Sequence, residues 1–216
     1  MKKALAWLLL GSLPSFGWDV GFDFRATQSF VTDPAYAIFA AMGVTNYPTT
    51  ATINGQAVTF GWESTGQSIG IRDRNASIDP RLAGMNCQQN DGNTSVFRID
   101  LPSTGTYSIG LAAGDSAGFT QNNYISIASA TSTVLSVQAI TGATSTPNVA
   151  DAAGTLWGLP AWPGSNVMVQ KTFGTTILRM TLGGTVGATF SCVAHLRVTS
   201  VQASAPGVAG WSFFIL

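Results

Sequence analysis

The sequence predicts an all-β chain, an antiparallel two-sheet β-sandwich of the jelly-roll kind, and three observations carry that prediction. Charge is scarce: Lys+Arg contribute 10 and Asp+Glu 10 of the 216 residues, 9% in all, against about a quarter in an average soluble domain. Glu63 is the only glutamate and Lys171 the only lysine after Lys3, so the residues that stabilise exposed helix faces are nearly missing. Short runs of alternating apolar and polar residues then recur between clusters of Gly, Pro, Asn, Asp and Ser, the rhythm of half-buried strands and turns.

Taken in order, Val20 to Ala26 alternates and reads as the first strand, and Asp33-Pro34 starts a turn. Ala35 to Met42 fits a short helix or a strand. Asn54-Gly55 joins Thr49–Ile53 to Gln56–Trp62, the strongest short hairpin signal in the chain. Gln67 to Arg74 alternates again, with Ile69 and Ile71 on one side and Arg72 and Arg74 on the other. Between Asn75 and Ser95 periodicity is lost and a long loop is expected. Val96–Leu101 and Thr106–Ala113, linked by Pro102-Ser103-Thr104-Gly105, read as a second hairpin in which Phe97, Ile99 and Leu101 alternate against Tyr107, Ile109 and Leu111. Tyr124–Ala128 and Thr133–Ile140 form another pair. A small-residue loop leads to the aromatic segment Leu156–Pro163, whose prolines keep it out of a central strand. Val167–Phe173, Thr176–Leu182 and Thr189–Val201 complete an expected nine to eleven strands.

Residues 1–17 resemble a secretory signal: Lys2 and Lys3, a ten-residue apolar stretch from Ala4 to Leu13, and Ser15-Phe16-Gly17 as a small-x-small cleavage site. The competing reading retains the segment as a packing element, as in a virion protein. The expected organisation is therefore a signal-like or retained segment 1–17, a sandwich domain 18–203, and an apolar tail 204–216. Cleavage places the protein outside the cell or on its surface, and retention places it on a virion. Trp211, Phe213, Phe214, Ile215 and Leu216 in the tail fit either a last strand packed on its own domain or a contact with neighbouring copies in a homo-oligomer or virion.

Several function classes fall away. A formal net charge of zero with scattered arginines excludes a nucleic-acid partner, and no apolar run approaches the roughly 18 residues of a membrane span. Gly66-Gln67-Ser68-Ile69-Gly70 matches the G-x-S-x-G elbow but leads straight into an alternating strand, where the elbow needs a strand-to-helix turn. Gly114-Asp115-Ser116 has the look of an esterase nucleophile block. The only histidine, His195, has Cys192 where that arrangement needs an aspartate, so the triad is incomplete and no catalytic residue is expected. Two Cys and one His cannot build a Cys/His metal centre. Calcium asks only for loop carboxylates, amides and carbonyls. Asp91, Asn93, Asp115 and Asn122 are the loop candidates for a structural calcium, and no other cofactor is expected. Cys87 and Cys192 either form one bridge or remain two buried thiols.

In this order the motifs resemble a known module. Phe22-Asp23-Phe24-Arg25, Val58-Thr59-Phe60-Gly61-Trp62, Arg72-Asp73-Arg74, Phe97-Arg98-Ile99-Asp100-Leu101-Pro102 and Gly105-Thr106-Tyr107-Ser108-Ile109 through Gly114-Asp115 look like the galactose-binding-like β-sandwich. That module accompanies secreted agarases and GDSL-type esterases as an accessory domain, and related free-standing domains with a stretch like Asp79-Pro80-Arg81-Leu82-Ala83-Gly84-Met85-Asn86 occur in phage and bacterial surface proteins. The resemblance runs over roughly residues 18–200 and implies a fold and a non-catalytic, surface-displayed role, with the Gly-Asp and Arg-Asp residues fixing loops. A glycan is the expected ligand, because sugar recognition needs an aromatic face for ring C–H groups and polar neighbours for hydroxyls. Trp62, Asp73, Asn123, Tyr124, Trp157 and Trp162 are the candidate contacts. A virion structural protein acting by self-assembly, and a secreted esterase using Ser68 or Ser116, are the alternatives.

Overall fold

The structure, a computed structural model, describes residues 17–25, 39–42, 46–64, 69–73, 79–88, 92–115, 121–130, 132–141, 148–164, 167–184 and 190–201. Segment 1–16, residues 35–38, Ser68, Ser116 and the tail 204–216 lie outside the described residues. The strands, in chain order, are β1 Asp19–Phe24, β2 Phe39–Met42, β3 Thr49–Ile53, β4 Gln56–Ser64, β5 Ile69–Asp73, β6 Gly84–Gln88, β7 Thr94–Asp100, β8 Gly105–Ala113, β9 Gln121–Ala128, β10 Thr133–Thr141, β11 Asn148–Ala150, β12 Leu156–Gly158, β13 Met168–Phe173, β14 Ile177–Gly183 and β15 Ser191–Ser200. Two short 3-10 turns, Pro80–Leu82 and Leu159–Ala161, interrupt the strands.

The strands form two sheets packed face to face, the sandwich that the sequence predicts. The six-stranded sheet runs β10-β9-β14-β7-β4-β3. The nine-stranded sheet is built around β8 and the ten-residue β15. Beside β15 lie β1 and β6 in tandem: β1 pairs with its C-terminal half, up to Asp23 opposite His195, and β6 with its start, from Gln88 opposite Ser191 to Asn86 opposite Val193. β2 flanks β1 in parallel and β5 flanks β6 antiparallel. β8 carries β11 and β13 in the same tandem manner, and β12 closes that edge as a short hairpin with β11. Period-two alternation decides which side chains enter the interior. Val20, Phe22 and Phe24 of β1 face Phe97 and Ile99 of β7 and Phe60 and Trp62 of β4 across the sheets, all at most 2% exposed. Phe97 lies 5.2 Å, ring centre to ring centre, from each of Phe22, Phe24 and Trp62.

The Asn54-Gly55 turn forms as predicted, with both residues at positive φ, 51° and 73°, and β9 and β10 pair as expected. Two predictions are corrected. Val96–Leu101 and Thr106–Ala113 are not a hairpin: β7 lies in the six-stranded sheet between β14 and β4, and β8 in the other sheet beside β15. Their alternation fixed correctly which residues are buried, but it carries no information on whether the two apolar faces lie side by side or opposite one another, and here they are opposite. The segment from Asn75 to Ser95 is not all loop, since it contains the turn at Pro80–Leu82 and β6. All five residues of β6 are buried, so both faces are covered and the polar-apolar alternation that marks a half-exposed strand is absent. The described strands number fifteen, above the expected range, because β2, β6, β11 and β12 are pieces of three to five residues.

Met85 and Cys87 point away from the sandwich interior into a second apolar cluster on the outer face of the nine-stranded sheet, with Leu82, Ala112, Val149, Leu159, Cys192 and Ala194, and Trp162 packs against it. Cys87 and Cys192 are directly opposite across β6 and β15, and they are joined as a disulfide spanning a separation of 105 residues. Replacing both cysteines with alanine is expected to lower stability by about 2–5 kcal/mol, the range for a bridge of this loop length, read as a lower denaturant midpoint. Phe97→Ala, which empties the centre of the aromatic layer, is expected to cost about 3–5 kcal/mol. An unchanged midpoint in either variant contradicts the packing described.

Candidate functional site

The outer cluster is roofed by two segments, each tied down by a carboxylate. Asp79 caps the turn at Pro80–Leu82, and its Oδ1 accepts from the backbone N–H of Arg81 at 3.0 Å and from Arg81 Nε at 2.7 Å. Arg81 Nη2 closes a second contact to Asp79 Oδ2, so the guanidinium forks onto the carboxylate. The same Oδ2 accepts the indole N–H of Trp162 at 3.0 Å. Trp162 in turn meets the imidazole of His195 edge-on, with ring centres 6.0 Å apart. Gly164, at φ +71°, lets the chain pass over the guanidinium, since a Cβ there would come within 2.7 Å of Arg81 Nη2.

Asp151 does the same for the hairpin of β11 and β12. Its Oδ1 accepts the backbone N–H groups of Ala153 at 2.8 Å and Thr155 at 3.0 Å, and its Oδ2 accepts the indole N–H of Trp157 at 2.7 Å. Asp79 and Asp151 are themselves buried, and each has its oxygens satisfied by several donors, one of them an indole. Between the tryptophans the buried Leu159 anchors the segment while Pro160 and Ala161 are exposed. Leu156 stands 45% exposed beside them. The product is a ledge over the nine-stranded sheet with two half-buried indoles, both fixed in orientation by their N–H bonds, and apolar surface between and beside them.

The six candidate contacts separate on these grounds. Trp157 and Trp162 share the ledge. Tyr124, half-buried on β9, belongs to the outer face of the other sheet. Trp62 is 2% exposed, packed between Phe24 and Phe97, and offers a ligand no surface. Asn123 is wholly buried, with its Oδ1 accepting the backbone N–H of Cys192 at 2.7 Å, which pins β9 to β15. The backbone of Asp73 pairs with Gly84, and its side chain lies outside the described residues. Of the calcium candidates, Asp91 and the side chain of Asn122 lie outside the described residues, and among the described residues no three His, Cys, Asp or Glu side chains converge.

Sequence reasoning missed a charge network on the outer face of the six-stranded sheet. Glu63 receives Arg179 through Nε at 2.5 Å and Nη2 at 2.9 Å, and Arg98 Nη1 at 3.0 Å. Arg98 also donates to Asp100 at 2.7 Å and stacks 4.4 Å from the ring centre of Tyr47, whose hydroxyl donates to Asp100 at 2.9 Å. The hydrogen bonds from Arg179, above all, hold the Glu63 carboxyl below its ordinary range. A signal was present in the sequence, because Glu63, Arg98 and Arg179 all lie on outward positions of alternating runs, but nothing in those runs says that β4, β7 and β14 are neighbours.

No protein-family model matches the chain, and no curated protein matches it. Among solved structures it is similar to a Bacillus subtilis protein from a structural-genomics effort, at 14% identity and a TM-score of 0.46, over 86% of this chain and 40% of that one. It is similar to a family 35 carbohydrate-binding module from an environmental isolate, at 16% identity and 0.40, over 68% and 98% of the two chains. A third likeness is to Bacteroides uniformis beta-glucuronidase 2, at 11% identity and 0.44, over 86% of this chain and 18% of that one. The chain thus spans less than half of the Bacillus subtilis protein. Identities and scores at this level carry nothing about ligand or activity to this chain.

The ledge is sensitive to acid. Burial, helped by the positive charges of Arg81 and Arg197 and opposed by Asp79, pushes the His195 imidazole down to about 3 from an ordinary 6.5. Burial raises the Asp79 carboxyl, but the hydrogen bonds and charge of Arg81 outweigh it and leave it below the ordinary value. In both cases the unfolded chain takes up its proton at a higher pH than the folded one, so stability is full above the unfolded value and is lost as pH falls towards the folded one. The melting temperature is expected to fall between pH 7 and pH 4, and His195→Gln is expected to flatten the part of that fall above pH 5. A pH-independent melting temperature in the wild type contradicts the enclosed neutral imidazole.

Proposed function

We propose that the chain is a non-catalytic binding module that recognises a glycan through the Trp157–Trp162 ledge. The observation that carries this reading is the fixed pair of half-buried indoles, each holding its N–H on a buried aspartate. A sugar ring stacks its C–H face on an indole whose orientation is already set, so little side-chain entropy is lost on binding, and the pyrrole N–H is occupied, so binding leaves no donor unpaired. Pro160 and Ala161, both exposed, lie between the two tryptophans along the chain and carry no long side chain to stand over them. The non-catalytic part of the reading is supported by His195: it is wholly buried beneath Trp162 and held neutral, a poor place for a base that must meet substrate. The Cys87–Cys192 bridge supports display outside the reducing cytosol.

A glycan array followed by isothermal titration on the best ligand tests this. Trp157→Ala and Trp162→Ala are each expected to weaken binding about tenfold or more, equivalent to about 1.4 kcal/mol, with circular dichroism showing that the fold survives. Absence of binding by the folded wild type to every glycan, or affinity unchanged in both variants, sinks the proposal.

A further inference from the structure

At one end of the sandwich the space between the sheets is polar. Asn86 and Gln88 alternate with Met85 and Cys87 along β6, so while the latter pair face the outer cluster, the two amides face inward. Gln88 Oε1 accepts from the hydroxyl of Ser95 at 2.5 Å, and Ser95 is two residues before Phe97 on the inward face of β7. Trp62, on the inward face of β4, packs against Phe24 and against Phe97, which lies two residues beyond Ser95 on β7. Asn86 is 0%, Gln88 1% and Trp62 2% exposed. Among the described residues, both polar atoms of the Asn86 amide, Nε2 of Gln88 and Nε1 of Trp62 have no hydrogen-bond partner. These are three donors and an acceptor, all uncharged and buried between the sheets.

Leaving such groups unmade costs about 1–3 kcal/mol each, and native interiors answer that cost with a partner, protein or otherwise. The chemistry of the set defines the partner. None of these four groups carries a charge, so an ion placed among them would be uncompensated. A hydroxyl both donates and accepts and satisfies an amide on either side. We propose that Asn86, Gln88 and Trp62 line an internal chamber that binds uncharged hydroxyl groups, supplied by trapped water or by a sugar residue entering from the end of the sandwich. The chamber is separate from the tryptophan ledge, which lies on the outer face of the nine-stranded sheet, and does not depend on it.

Oxygen-17 relaxation dispersion of the full chain detects water held for microseconds, and a crystal structure that shows ordered water locates it. Expected in the free protein is at least one long-lived water, with density in hydrogen-bond reach of Asn86 and Gln88. Asn86→Leu is expected to remove that dispersion while Trp157→Ala leaves it intact, and Gln88→Met serves as the second variant if Asn86→Leu does not fold. Titration with galactose or glucose separates the two sources: saturable loss of the long-lived signal assigns the chamber to sugar hydroxyls, and an unchanged signal assigns it to water. A protein with no long-lived water and no sugar effect, or a crystal structure in which the Asn86 amide bonds to protein groups, overturns the proposal.

Discussion

The structure depends most on the contact that Phe97 makes across the sandwich. Its ring sits among Phe22 and Phe24 from one sheet and Phe60 and Trp62 from its own, with centre-to-centre distances of 5.2 to 6.2 Å, mostly edge-on as the ring quadrupoles favour. Because a strand alternates, fixing Phe97 inward fixes Arg98 outward. The register of β7 against β14 and β4 then places Arg98 opposite Arg179 and next to Gly61. Two guanidiniums side by side on neighbouring strands repel unless an anion lies between them, and Glu63 supplies it. The chain's only glutamate is thus placed by the packing of a phenylalanine on the other face of the sheet.

The same economy governs the rest of the charge. Asp19 accepts from Arg197 and Thr199 across β1 and β15, Asp79 holds the first roof segment, and Asp151 builds the turn of the β11–β12 hairpin. A charge fraction of 9% leaves the polar surface largely to Ser, Thr, Asn and Gln, and Asp19, Asp79 and Asp151 each tie several donors. These ties fall at residues other than the Arg72-Asp73 and Gly114-Asp115 motifs to which the resemblance gives a loop-fixing role. Asp79 and Arg81 pair with one another, whereas Arg72 is exposed and donates only to its neighbouring carbonyl.

What the sequence could convey follows from what alternation encodes. It marks which face of a strand is buried, so the cores of β1, β7, β8 and β14 were legible in Phe22, Phe97, Ile109 and Met180. It does not mark partners, so the crossover from β7 to β8 reads as a hairpin. It vanishes where both faces are covered, so β6 reads as loop, and whether Cys87 bridges Cys192 stays open until β15 is laid beside it. The ledge was half legible. Trp157 and Trp162 stand out in a proline-bounded segment, but Trp62 carries the same residue type inside an alternating run, and such a run puts its bulky apolar positions inward. Asn123 misleads for a related reason, since a polar residue on an inward position pairs with backbone and never reaches the surface.

Tying an indole to a buried carboxylate links the ledge to the stability of the outer cluster. Trp162 cannot swing outward without leaving Asp79 short of a donor and uncovering His195, and Trp157 cannot do so without loosening the Asp151 turn. Trp162 is therefore held by contacts that extend to the disulfide strands beneath it, and Trp157 by the turn of the β11–β12 hairpin. The cost of that rigidity is that the surface shares the fate of its support. Protonation of Asp79 weakens the acceptor for the Trp162 N–H and the anchor for Arg81 together, and a charge on His195 would put a cation against the same guanidinium. On the proposed reading, a ligand lying across both rings would gain from their fixed geometry only while the outer cluster stays closed, so its binding and the folding of this face would be coupled through Asp79 and Asp151.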